Sequence, residues 1–129
     1  MPAATVVAAV IERGGRILIG QRKQSAAHPL KWEFPGGKVD AGETPPGALR
    51  RELEEELGIQ AQIGGEITRY EYQYPGQAPI LLIFYRVTLF EGEPENRAFE
   101  RIAWEPARTL PSYDFLDGDV DFVRKLGSL

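Results

Sequence analysis

Between Gly37 and Ile59 the chain reads GKVDAGETPPGALRRELEEELGI, and no other stretch constrains the fold as much. Its spacing is a glycine, five residues, Glu43, seven residues, then Arg51-Glu52-Leu53-Glu54-Glu55-Glu56-Leu57-Gly58-Ile59. Thr44 is placed to cap a helix whose first turn holds Pro45 and Pro46, where a missing N–H costs nothing. Gly58 is placed to stop it. The expected helix therefore runs over about 44–57. At about 100° per residue, Glu52, Glu55 and Glu56 share an arc of roughly 100°. Leu49, Leu53 and Leu57 form an i, i+4 stripe on the adjoining arc, and Glu54 points elsewhere. Such a helix docks by its leucines and holds its carboxylates at the edge of the core.

Glutamates at i+3 and i+4 repel, by roughly 0.2–0.5 kcal/mol per pair. Oxygen-only ligands gathered this way suit a hard cation such as Mg²⁺ or Mn²⁺. An acidic run on a helix is more often a solvated face, but that reading explains neither the glycine-rich lead-in EFPGGK nor the Arg51–Glu52 dyad.

Composition bounds the rest. The 129 residues, 43% of them hydrophobic, fit a single domain over residues 1–129. A net charge of −4 argues against a nucleic-acid polymer as partner, which needs a basic face. Without cysteine there is neither disulfide nor thiol chemistry. The start MPAATVVAAV lacks a basic n-region, so it does not read as a signal peptide, and no apolar run reaches the length of a membrane span. The expectation is a cytoplasmic protein.

Strands and two helices alternate along the chain. Thr5–Ile11 and Arg16–Gln21 flank Gly14-Gly15 as a hairpin, and residues 22–36 read as a loop. After the helix over about 44–57, Ile63–Tyr74 and Ile80–Phe90 read as long strands around Pro75-Gly76. A loop over 91–97 leads to a short strand near Arg101–Trp104, and a second helix covers about 114–126. Helices on both faces of a mixed sheet make the expected class α/β.

With Gly37, Glu43, Arg51, Glu52, Leu53, Glu55, Glu56, Gly58 and Ile59 all in place, the chain resembles the Nudix hydrolases. These enzymes split a nucleoside diphosphate linked to another group. The resemblance implies the Nudix α/β/α sandwich. VVAAVIERGGRILIGQR followed by LKWEFPGGK is similar to the MutT branch, the 8-oxo-dGTP diphosphatases and CTP pyrophosphohydrolases. That likeness implies attack of water at the β-phosphorus of a nucleoside triphosphate, releasing nucleoside monophosphate and pyrophosphate. Metal ligands would be the Gly37 carbonyl, Glu52, Glu55 and Glu56, with Glu52 or Glu43 as base and Arg51 orienting Glu43 or Glu52. A further loop carboxylate often joins the metals. Counted back from Trp104 its usual position is Ala98, which leaves Glu100 as the better candidate.

Arg22 and Lys38 match positions that meet the phosphates, and Phe34 one that lines the base pocket. Tyr72, Tyr74, Leu82 and Phe84 lie on strands able to supply stacking, while the single histidine, His28, reads as a surface residue. At Asp114 the mutator type carries an asparagine that reads the base, whereas CTP-type relatives carry aspartate; a helix cap is the plain alternative. The expected partner is a small nucleotide, bound by a monomer or homodimer. Two other classes stay open: a nucleotide sensor that has lost catalysis, although no box glutamate is missing, and an acidic protein-binding module.

Overall fold

The computed structural model describes residues 4–128. Its strands are β1 (Ala4–Arg13), β2 (Arg16–Gln21), β3 (Trp32–Glu33), β4 (Gly36–Lys38), β5 (Gln60–Gln62), β6 (Glu66–Tyr72), β7 (Ile80–Val87), β8 (Leu89–Glu91) and β9 (Arg101–Glu105). Helix α1 covers Pro45–Leu57 and α2 covers Val120–Gly127. Strand β1 is the trunk. It pairs in parallel with β7 from Ala4–Ile80 to Ile11–Val87, while its other edge is shared between β4 (Val6 to Ala8) and β2 (Glu12 and Arg13). Strand β6 extends the sheet antiparallel to β7, and β9 and β3 extend it beyond β2.

Alternation along these strands feeds two cores. Val7, Ala9 and Ile11 of β1, with Ile83, Tyr85 and Val87 of β7, face α1 and meet Leu49, Leu53 and Leu57. Ala8 and Val10, with Leu82 and Phe84, face the other way onto Phe122, Val123 and Leu126 of α2. The result is the expected mixed sheet with helices on both faces, an α/β/α sandwich. Among the described residues no helix is long and apolar enough to cross a membrane.

Several element boundaries differ from expectation. The loop over 22–36 contains β3, and β4 forms within the glycine lead-in. The two long strands are each broken: β5 and β8 pair with one another as a separate ribbon, while β6 and β7 stay in the main sheet. Gly64 and Gly65 mark the first break, where Gly64 N–H donates to Arg86 O (2.8 Å) and Arg86 N–H to Gly65 O (2.9 Å). The C-terminal helix is also shorter than expected. Residues Ala107–Ser112 and Asp117–Asp119 form tight 3₁₀ turns, and the helix begins only at Val120. Asp114 therefore caps no helix.

Candidate active site

Local chemistry fixes α1 as the sequence implies. The Thr44 hydroxyl accepts from Gly47 N–H at 3.1 Å, and Gly58 ends the helix in left-handed backbone at φ 69° with its N–H on Glu54 O. The leucine stripe is fully buried. This seats Glu52 and Glu56 half-buried at the core edge and leaves Glu54 and Glu55 exposed.

Arg51 organises the acids around it. Its Nε and Nη2 grip Glu43 at 2.7 and 2.9 Å, a bidentate fork, while Nη1 reaches Glu52 at 3.0 Å and Glu55 at 3.3 Å. Nη2 also donates to Lys38 O at 3.2 Å and lies 3.4 Å from Asp40. Arg51 hydrogen bonding, helped by the Asp40 N–H, holds the Glu43 carboxyl down to about 2. Glu52 is pushed the other way by burial, against the pull of Arg51.

Glu56 is the most perturbed of the box carboxylates. Burial, then Glu33 and Glu52, push it up to about 8, opposed by one hydrogen bond from Gly36 N–H at 3.1 Å. Glu33, on β3, is itself raised by burial and held by Arg22 Nη1 at 3.1 Å. A cavity of about 200 Å³ is lined by Glu33, Glu56, Arg22, Lys23, Ala98 and Phe99, among others. Glu100 is exposed and does not line it; the neighbouring wall is Ala98.

These residues fit a hard divalent cation. The donors are all oxygen, Glu56 is charged only at the expense of burial and repulsion, and the Glu52 carboxylate lies against the Gly37 backbone. Among the described residues no three acids are already drawn tightly enough to hold an ion, so the donors would close inward on one.

The remaining candidates separate. Arg22 lines the cavity, but its guanidinium is engaged by Glu33 and by Ala27 O at 2.6 Å. Lys38 is exposed. Phe34 is 3% exposed and packed edge-on against Phe84 and Phe122 and tilted against Phe115, so its ring belongs to the α2-side core, as do Leu82 and Phe84. Asp114 lies outside this group: its side chain is 74% exposed and paired with Lys31 Nζ at 2.8 Å.

Two acids that the sequence did not single out are perturbed by their surroundings. Glu33 sits in the lead-in EFPGGK, where its alternation with buried Trp32 and Phe34 was the available signal. Asp119 is the only buried charged residue among those described, at 6% exposure. Burial, then Glu33, push its carboxyl up to about 8. The turn that carries it is tied to β6 by Tyr70 OH donating to Gly118 O (2.6 Å), and to the segment after β6 by Gly118 N–H donating to the Tyr74 hydroxyl (3.1 Å).

Comparison with known proteins agrees with this architecture. The model of the NUDIX domain family matches residues 1–126. The 8-oxo-dGTP diphosphatase of Haemophilus influenzae is 39% identical over 112 residues, 87% of this chain and 82% of that protein. The CTP pyrophosphohydrolase of Escherichia coli is 34% identical over 124 residues, 96% of this chain and 91% of that protein. The solution structure of the Escherichia coli ORF135 protein superposes with a TM-score of 0.86 at 33% identity, covering 98% of this chain and 89% of that one. With its box, its sandwich and its relatives in agreement, the chain belongs to the NUDIX family.

Proposed function

We propose that this protein hydrolyses a nucleoside triphosphate to nucleoside monophosphate and pyrophosphate. The observation that carries the proposal is the convergence of Glu33 and Glu52 on half-buried Glu56, each within electrostatic reach of it, beside an arginine already committed to Glu43. That arrangement calls for divalent cations, Mg²⁺ or Mn²⁺, held by the Gly37 carbonyl, Glu52, Glu55 and Glu56. Bound cations would neutralise the phosphate chain and withdraw charge from the β-phosphorus. Glu52 accepts the proton of the attacking water as its oxygen joins the β-phosphorus. The bond from that phosphorus to the α–β bridging oxygen breaks, and the bridging oxygen departs with the nucleoside monophosphate. Arg51 keeps Glu43 and Glu52 ionised and oriented. Arg22 and Lys38 receive the phosphate oxygens, which requires Arg22 to exchange Glu33 for substrate.

Base recognition falls to Asp119 in this reading. A carboxyl that keeps its proton near neutral pH is at once a donor and an acceptor. It complements 8-oxoguanine, which shows N7–H beside O6, and cytosine, which shows an amino N–H beside N3. Unmodified guanine shows two acceptors on its N7–O6 edge and is disfavoured there. This suits the named activities of both relatives, so the proposed substrates are 8-oxo-dGTP and CTP or dCTP, and the proposed role is sanitation of the nucleotide pool. The protein would act in the cytoplasm as one domain over residues 1–129, on small nucleotides and not on a nucleic-acid polymer. Pyrophosphate release from a nucleotide panel with Mg²⁺, against an EDTA control, tests the proposal. Turnover in excess EDTA, or orthophosphate as the primary product, would overturn it.

A further inference from the structure

The residue before Asp119 is a glycine, the residue type with the most backbone freedom. A carboxyl that followed a loose glycine would have no fixed place from which to read a base. Peptide planarity leaves each residue only two soft dihedrals, so Gly118 is fixed when the planes on both sides of it are held.

Both are held here. In the plane before it, Gly118 N–H donates to the Tyr74 hydroxyl at 3.1 Å. In the plane after it, Tyr70 OH donates to Gly118 O at 2.6 Å, while Asp119 N–H donates to Leu116 O at 2.9 Å. The next plane is closed by Val120 N–H on Asp117 O. This arrangement itself requires the glycine, because a Cβ at residue 118 would lie 2.9 Å from the Tyr74 oxygen and 3.2 Å from the Tyr72 ring.

Tyr70 is a stiff arm. Its ring stacks on Phe84, with centroids 5.8 Å apart and planes at 26°, and Phe84 stacks in turn on Phe122 at 4.1 Å. Phe84 is fully buried, and Phe122 lies on α2 three residues beyond Asp119. Tyr70 therefore meets the Asp119 segment twice, through its hydroxyl before Asp119 and through Phe84 after it. A groove of about 660 Å³ between β6 and α2 opens beside this joint and is lined by Tyr70, Tyr72, Gly118 and Phe122, among others. Water in the groove can replace the Tyr70 hydroxyl on Gly118 O, so losing that hydroxyl softens one peptide plane without orphaning a buried carbonyl.

We propose that Tyr70 is a specificity-determining positioning residue: by holding Gly118 it fixes the Asp119 carboxyl against the base edge, and it sharpens the choice between nucleobases without taking part in the phosphate chemistry. The inference rests on the reading of Asp119 as base reader. A bidentate contact discriminates only while donor and acceptor both stay in line with the base, so a softened turn relaxes selection before it slows turnover.

The test is a double-mutant cycle on base selection, the ratio of kcat/KM for 8-oxo-dGTP to that for dGTP. It is measured in wild type, Tyr70→Phe, Asp119→Ala and the double variant. A ratio of two substrates on one protein is blind to the fraction folded, so a plain loss of stability does not move it. One hydrogen bond is worth about 2- to 12-fold, and Tyr70→Phe should lower the ratio by about that factor. Added to Asp119→Ala, the same change should lower it no further. Tyr113→Phe removes a hydroxyl bonded to Glu105 instead, and should leave the ratio at its wild-type value. A wild-type ratio in Tyr70→Phe, beside a reduced one in Asp119→Ala, overturns the positioning role. So does an equal fall for Tyr70→Phe in the Asp119→Ala background, since the tyrosine would then act elsewhere. No turnover of either nucleotide, a wild-type ratio of one, or an unchanged ratio in Asp119→Ala sinks the base-reader reading, and the role of Tyr70 with it.

Discussion

The Glu52 carboxylate occupies the space in which a side chain on Gly37 would begin. A Cβ at residue 37 would lie 2.5 Å from Glu52 Cδ and 2.6 and 2.7 Å from its oxygens. This closeness is what would let the Gly37 carbonyl and Glu52 address the same cation. Gly37→Ala should therefore push the carboxylate aside and weaken Mn²⁺ binding by about 10- to 100-fold, the usual effect of disturbing a ligand's setting. Because Gly37 is only half-buried, the thermal midpoint of the metal-free protein should move by a few degrees at most. Wild-type affinity in Gly37→Ala, measured by Mn²⁺ titration, would remove Glu52 from the ligand set.

The helical face makes its own internal control. Glu52→Gln or Glu55→Gln should lower kcat by at least about 10², since each removes several kcal/mol of transition-state stabilisation. Glu54 is exposed on another side of α1, and Glu54→Gln should leave kcat within about twofold. Equal damage from Glu54→Gln would defeat the division of α1 into faces.

Acid–base behaviour separates the metal-free from the metal-loaded protein. Folded Glu56 and Asp119 are both raised to about 8, whereas in the unfolded chain such groups titrate near 4. A raised carboxyl binds its proton more tightly when folded. That stability is fully present below about pH 4 and is lost as pH climbs toward about 8. Glu43, held down to about 2 by Arg51, affects stability only below that window. In EDTA the thermal midpoint should thus fall steadily between about pH 5 and 8, and saturating Mg²⁺ should flatten the fall by favouring ionised Glu56. A midpoint that rises across this range in EDTA would contradict the burial of both groups.

Base choice should follow Asp119 and ignore Asp114. Asp119→Asn keeps a donor and an acceptor at every pH. It should preserve selection of 8-oxo-dGTP over dGTP and abolish a decline in kcat/KM above about pH 8. Asp119→Ala should collapse that selection by roughly 5- to 150-fold, the worth of a bidentate base contact. Asp114→Asn, at an exposed ion pair with Lys31, should change neither. Loss of base selection in Asp114→Asn alone would return the reading role to that residue.

The box helix was legible because everything that makes it is local: the Thr44 cap, the Gly58 stop and the leucine spacing all lie within the segment they govern. The two faces of the sheet were legible for the same reason, through alternation in β1 and β7. What stayed hidden depends on distant partners. Asp114, Asp117, Asp119 and Asp121 follow one another closely, and nothing along the chain says which is buried. Tyr70 and Tyr74 decide it through bonds to Gly118 that span 48 and 44 residues. Glu33 was obscured because β3 is two residues long, and a single alternation between Trp32 and Phe34 is too brief to mark a strand. The long strands broke because β5 and β8 found each other, a pairing outside the reach of any local window.

Leu49, Leu53 and Leu57 are fully buried on the same helix that carries Glu52, Glu55 and Glu56, so α1 has no freedom to settle in its bed without moving the carboxylates. A shaved methylene behind α1 is therefore a displacement at the phosphate end. Cavity-forming changes at these leucines should register in catalysis at temperatures where the fold is still intact, while equal changes beneath α2 should register first as unfolding. Mutational tolerance in this protein is set by which helix a core residue supports as well as by how deeply it is buried.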